Sequence, residues 1–181
     1  METTRNPLTT LQKQFLSTLG SYVGSPFYYF GSIQRSDYIV GQSDIDVDIF
    51  SYEPEKIARR LLHLLNGPYV SIKRVWWKFD GHEITGYKVK YKRSHSSPSS
   101  SSPSDIPSAT PSAEKLAVEF SIYSEEVKHL VLEKHRKQIF ISPYISSFLF
   151  FVKLLFKKNW IYYAIKKQLL SKDDTFISVP Y

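Results

Sequence analysis

Asp44, Asp46 and Asp48 alternate with Ile45, Val47 and Ile49 in one short run of the chain. Period-two alternation is the mark of a strand, whose successive side chains point to opposite faces. The three carboxylates then share a face, spaced about 7 Å apart by the strand rise. Aspartate is disfavoured in strands and neighbouring like charges repel, so something positive has to compensate for the row. Hard divalent cations are the natural candidates, because Mg²⁺ takes one or two carboxylates and completes its shell with water and substrate phosphates. Two such ions about 4 Å apart stabilise both the attacking and the leaving oxygen of a phosphoryl displacement. Upstream lies Gly31-Ser32. A glycine lets backbone N–H groups come close to a phosphate, and the hydroxyl adds a donor. The blander account is a solvated edge strand with an ordinary turn before it. It leaves the charge row without a reason.

The elements around this row can be read from periodicity. Apolar residues at 8, 11, 15, 16, 19 and 23, followed by Gly24, predict a helix over 8–23. Residues 27–30 read as a short buried strand leading into Gly31-Ser32, and 43–50 as the strand of the acidic row. Ile57, Leu61, Leu64 and Leu65 form the apolar face of a helix over 54–65, ended by Asn66-Gly67-Pro68. A hairpin is expected from 69–79 and 83–93 across Asp80-Gly81. Its second arm alternates Tyr87, Val89 and Tyr91 with Lys88, Lys90 and Lys92, giving a half-buried strand with one basic face. Residues 94–113 contain ten Ser and four Pro and read as a flexible loop. The strand over 116–123 puts Leu116, Val118, Phe120 and Ile122 on one face and Ala117, Glu119 and Ser121 on the other. The rest, 124–170, reads as helical in three segments, 125–138, 143–158 and 160–170. The apolar run at 148–152 suits a core helix, or else an oligomer interface, and is too short to span a membrane.

Gly31-Ser32, with eleven residues between Ser32 and Asp44, and then Ser43-Asp44-Ile45-Asp46 resemble the core motif of the DNA polymerase β-type nucleotidyltransferase superfamily. That superfamily includes poly(A) polymerases, CCA-adding enzymes and antibiotic nucleotidyltransferases. The motif covers about twenty residues, and the order of elements extends the likeness over roughly the first 125. The chain length resembles the minimal stand-alone members, including those of large DNA viruses. The resemblance implies an α+β fold with a polymerase β-like palm, a mixed β-sheet flanked by helices, and C-terminal helices, in a single domain over 1–181. It implies transfer of a nucleoside monophosphate from a nucleoside triphosphate to a hydroxyl, with Asp44 and Asp46 holding two Mg²⁺ ions, or Mn²⁺ in their place. A third carboxylate on a later neighbouring strand is Glu119 by parity, where many members have Asp. Gly31 and Ser32 would hold the β- and γ-phosphates. Asp48 would support the pair as a hydrogen-bond partner or pair with a lysine.

Two basic groups are candidates for phosphate contact. Arg35 follows the Gly-Ser turn closely, with a plain surface role as its alternative, and Lys88 belongs to the basic strand face, with a solvated face as its alternative. Of Trp76 and Trp77, on opposite faces of a strand, one belongs in the core and the other is available to stack on a base. The net charge of +7 is distributed as +4 over 1–93, −2 over 94–123 and +5 over 124–181, which suits phosphate-bearing partners or ordinary solubility. With no Cys, disulfides, thiolate zinc sites and Cys nucleophiles are excluded, and the five His form no HExxH pattern. The start of the chain carries no apolar run, so a signal peptide is not expected, and the absence of Cys suits an intracellular protein. The acceptor is open among nucleic acid, a small hydroxylated molecule and a protein, and a homo-oligomer is open too. The competing reading is a catalytically inactive module of the same fold, an antitoxin-like or nucleic-acid-binding partner.

Overall fold

The computed structural model describes residues 3–79, 81–94, 115–139, 142–155, 165 and 176–180. Helix α1 (Thr10–Val23) opens on a reciprocal cap between Thr9 and Gln12 and closes on Gly24 at φ 70°, a left-handed conformation that favours glycine. Strand β1 (Tyr28–Phe30) runs into a 3₁₀ turn (Gly31–Gln34). Strand β2 (Ile45–Ser51) carries the acidic row and is followed by α2 (Pro54–Leu65). The hairpin is β3 (Val70–Phe79) and β4 (His82–Ser94); then come β5 (Lys115–Ser124), a short 3₁₀ turn, α3 (Lys128–Ile139), α4 (Pro143–Leu155) and β6 (Phe176–Pro180).

The six strands form one mixed sheet in the order β1-β2-β5-β4-β3-β6, flanked by helices, so the α+β class holds. β2 and β5 are parallel, and the other neighbouring strands are antiparallel. The parallel pair requires a long crossover, which the hairpin and α2 supply. β6 adds an edge strand that the sequence reading did not contain. Most of the Ser/Pro loop and the helix expected over 160–170 lie outside the described residues, save Ser94 and Ile165.

The faces of the sheet do different work. Ile45, Val47 and Ile49 meet Val118, Phe120, Ile122 and Val89 beneath α1 and α2, which contribute Leu16, Leu19, Ile57 and Leu61. This is the main core, and the alternation of β2 predicted it. Leu64 lies partly exposed at its rim. The opposite face is apolar only at one end, where Phe50, Val75, Trp77, Ile84 and Tyr123 pack with Val131 of α3. Trp77 is thus the core tryptophan; Trp76 faces away from it, with Arg74 5.5 Å above its ring. α4 buries Leu149 and Val152 but exposes Phe148 and Phe151. The polar part of the second face holds the candidate site.

Candidate active site

The turn after β1 is shaped around one aspartate. Phe30 pairs with Asp46 across the antiparallel β1–β2 ladder, and the chain leaves the sheet at the next residue, Gly31, with φ 71°. A side chain there would be strained by this left-handed conformation and would also run into the Asp46 carboxylate. Gly31 therefore lets the backbone lie directly against Asp46. The turn is strapped from outside by the N-terminal segment. Asn6 donates its amide to the carbonyls of Ile33 (2.9 Å) and Arg35 (2.6 Å). The Gln34 amide donates to the Thr3 and Tyr29 carbonyls (2.7 and 3.1 Å) and accepts from the Arg5 N–H. Nothing in their spacing marks Asn6 or Gln34 as partners, and the sequence reading missed both. Ser32 is buried within the turn. Ser43 clamps the entry to β2: its hydroxyl accepts from the Ile39 N–H, and its own N–H donates to the Ile39 carbonyl, both at 2.9 Å.

The acidic row is graded in depth. Asp44 stands one residue before the start of β2 and is half-buried; Asp46 is half-buried and lies directly beside Glu119 in the parallel β2–β5 register. The parity argument for Glu119 is thereby met. Asp48 is 0% exposed, and His135 of α3 brings Nδ1 to 2.7 Å from its Oδ2. Among the described residues neither Asp48 oxygen accepts a well-formed hydrogen bond. His135 also stacks on Phe30 at 4.1 Å between ring centroids, close to parallel at 9°. Burial pushes the Asp48 carboxyl above its ordinary value, and His135 and Lys88 oppose that rise. Asp48 is expected from the sequence to support the Asp44–Asp46 pair as a hydrogen-bond partner or to pair with a lysine; in the structure a histidine, carried over the sheet by α3, stands against it.

Positive side chains already lie against the rest of the row. In the β4–β5 ladder Lys90 faces Glu119, with Lys88 and Lys92 one pleat to either side. Lys88 Nζ contacts Glu119 Oε1, Lys90 Nζ reaches Oε2 at 2.5 Å, and Lys92 Nζ stands 3.7 Å from Asp44 Oδ2. Burial acts to raise the Glu119 carboxyl, but Lys88 and Lys90 together outweigh it and hold the group below its ordinary value. The sequence argument left compensation of the row to metal ions. In the structure, lysines lie against Glu119 and Asp44, and His135 stands against Asp48.

The donor set suits a hard cation in part. Asp44 and Asp46 are oxygen donors on the less buried part of the row, and the Gly31 backbone packs so closely on Asp46 that a Cβ would collide with its carboxylate. Glu119 occupies the expected register position, but both of its oxygens are engaged by lysines. Among the described residues no three His, Asp or Glu side chains converge as metal ligands. Arg35 is 3% exposed and forks Asp37 through Nε (2.9 Å) and Nη2 (3.1 Å), which removes the surface alternative for it. Among the described residues no helix is long and apolar enough to cross a membrane.

No protein-family model and no curated protein matches the chain. Among solved structures it resembles two of the Cid1 poly(U) polymerase, one of them in complex with the UTP analog UMPNPP. Both are 13% identical, with TM-scores of 0.38 and 0.39, and the match covers 81% of this chain. The chain spans 41% of the length of those structures. A likeness this distant leaves the functional reading to the site itself.

Proposed function

We propose that the chain is a metal-dependent nucleotidyltransferase of the polymerase β type, using a nucleoside triphosphate and a hydroxyl acceptor. The observation that supports this most is the Gly31 turn lying against Asp46, with Glu119 at the adjoining register position. That arrangement sets the backbone of a glycine turn against one of two strand-borne carboxylates that are neighbours in the sheet. Asp44 and Asp46 would hold Mg²⁺ or Mn²⁺, and Glu119 would join them once nucleotide is bound. When bound there, such ions would supply neutralisation of charge on the attacking and leaving oxygens.

The other roles belong to the chain's own groups. Gly31 and Ser32 would receive the β- and γ-phosphates, held in place by Asn6 and Gln34, so that the reacting phosphorus is positioned rather than merely bound. The acceptor hydroxyl would give up its proton to solvent water as its oxygen bonds to the α-phosphorus, while the bond from the α-phosphorus to the oxygen bridging to the β-phosphate breaks and that oxygen leaves with pyrophosphate. Lys88, on the basic strand face, would meet the triphosphate. Arg35 would act from beneath the turn, since its guanidinium is committed to Asp37.

Label transfer from each of the four nucleoside triphosphates, with nucleic acid, small polyols and protein as acceptors, tests the proposal. Transfer that depends on Mg²⁺ or Mn²⁺ supports it. A second reading, an inactive binding module of this fold, is favoured by one observation, the engagement of Glu119 by two lysines. Calorimetry with Mg-ATP separates the two, because an inactive module gives no metal-dependent heat of nucleotide binding.

A further inference from the structure

Arg74 stands opposite Tyr87 in the β3–β4 register, and Tyr87 belongs to the main core beneath α2. Arg74 and Trp76 therefore lie on the α2 side of the sheet, the reverse of the acidic row. A cavity of about 600 Å³ opens on that side, lined by Glu53, Glu55, Lys56, Arg59, Arg60 and Arg74 among others. Its charges do not cancel. Glu53 pairs with Lys56 at 2.9 Å and Glu55 with Arg59 at 2.7 Å, which leaves Arg60 and Arg74. Arg60 reaches the Val23 carbonyl at 3.4 Å, and Arg74 lies over the Trp76 ring; among the described residues neither forms an ion pair. Guanidiniums without carboxylates suit phosphate, which they grip with paired N–H donors. An indole beside one of them suits a base, because stacking on an aromatic ring accepts any base. We infer that the cleft between α2 and β3 binds single-stranded nucleic acid, with phosphates on Arg60 and Arg74 and a base against Trp76. Arg60 and Arg74 are both exposed and come from separate elements. Contacts this open gain affinity by engaging successive phosphates of one chain, which favours a strand over a lone nucleotide. The cleft lies across the sheet from the acidic row, so it stands or falls apart from the transfer reading.

Fluorescence anisotropy tests this, with the full chain titrated into labelled oligo-U or oligo-dT of about 15 nucleotides, within the usual range of such sites. A chelator is present throughout, so no divalent ion bridges nucleic acid to the acidic row. Binding of either oligomer supports the cleft, and the tighter one names the preferred sugar. Arg60→Gln with Arg74→Gln is expected to weaken binding about tenfold near physiological salt. It should also flatten the slope of log affinity against log salt by about 1.4, for two phosphates at about 0.7 each. Trp76→Leu is expected to weaken binding about tenfold with the slope unchanged, since stacking carries no charge. Lys13→Gln with Arg136→Gln removes the same charge from exposed positions on α1 and α3, and should change affinity by less than about threefold, because distant surface charges are screened. Uridine monophosphate should compete only at concentrations far above that of the oligomer. The cleft is overturned if neither oligomer binds, if the control pair loses as much as the arginine pair, or if Trp76→Leu binds as wild type. A mononucleotide binding as tightly as the oligomers overturns it too. Arg60 and Arg74 are exposed, so their substitution spares the core, and urea unfolding checks that Trp76→Leu is folded. Metal-dependent transfer by a chain that binds neither oligomer removes the cleft alone. Oligomer binding lost in the arginine pair, by a chain without transfer, removes the transfer reading alone.

Discussion

His135 and Asp48 meet at 2.7 Å with 7% and 0% of their side chains exposed, and they join α3 to the strand that carries the acidic row. Removing one member of a buried pair costs more than the pair contributes, because the survivor is left desolvated without its partner. His135→Ala is therefore expected to lose about 3–5 kcal/mol of stability. Asp48→Asn, which removes the charge but keeps the shape, should lose much less. Urea unfolding checks this, and a loss in His135→Ala no larger than in Asp48→Asn would contradict it.

Asp48 and Glu119 should tilt the pH dependence of stability in opposite directions. Burial raises the Asp48 carboxyl above its ordinary 3.8, so its contribution is fullest below that value and is lost as pH rises through the raised folded value. Lys88 and Lys90 hold the Glu119 carboxyl below its ordinary 4.5 against the effect of burial. Its contribution is present above 4.5 and is lost as pH falls through the lowered folded value. Unfolding midpoints across pH should show the gap between wild type and Glu119→Gln closing toward acid. The gap between wild type and Asp48→Asn should shrink toward neutrality. Parallel curves for either pair would count against the assignment.

Gly31→Ala should harm both stability and transfer. The left-handed backbone at φ 71° costs a residue with a Cβ about 1–2 kcal/mol. The methyl group must in addition displace Asp46. Chemical denaturation and kcat measured together test this, and a variant matching wild type in both would show that the close approach is dispensable.

Asn6→Ala removes two side-chain hydrogen bonds that brace the Gly31–Gln34 turn from a segment 27 and 29 residues away in sequence. At about 1 kcal/mol for each bond, the expected loss is measurable by urea unfolding. Nucleotide KM should rise more than kcat falls, since the brace acts on the phosphate cradle. A fall in kcat with unchanged KM is the contrary result.

What the sequence discloses follows the range of the interactions. β2 was legible because Asp and Ile alternate with a strand's own period, and the main core followed from its apolar half. Glu119 was legible by parity on β5, and Lys88, Lys90 and Lys92 as one face of β4. That Lys90 stands opposite Glu119 depends on the β4–β5 register, which no local pattern specifies. His135 reaches Asp48 only because α3 crosses the sheet where it does, 87 positions later in the chain. Arg35 looked like a surface or phosphate-facing cation, yet Asp37, two residues on, turns it inward within an irregular loop. β6 escaped notice because five residues, Phe176–Pro180, are too few for alternation to stand out, and their edge position is a tertiary fact.

The central claim is that Asp44 and Asp46 are the metal-holding pair of a nucleotidyl-transfer site. Pyrophosphate release and label transfer from nucleoside triphosphates, measured with Mg²⁺ for wild type and for Asp44→Asn with Asp46→Asn, test it most directly. Wild type is expected to transfer label, and the double variant to fall by about 10³-fold or more, the scale set by losing electrostatic stabilisation at a reacting centre. A folded double variant that transfers label as fast as wild type would contradict the account.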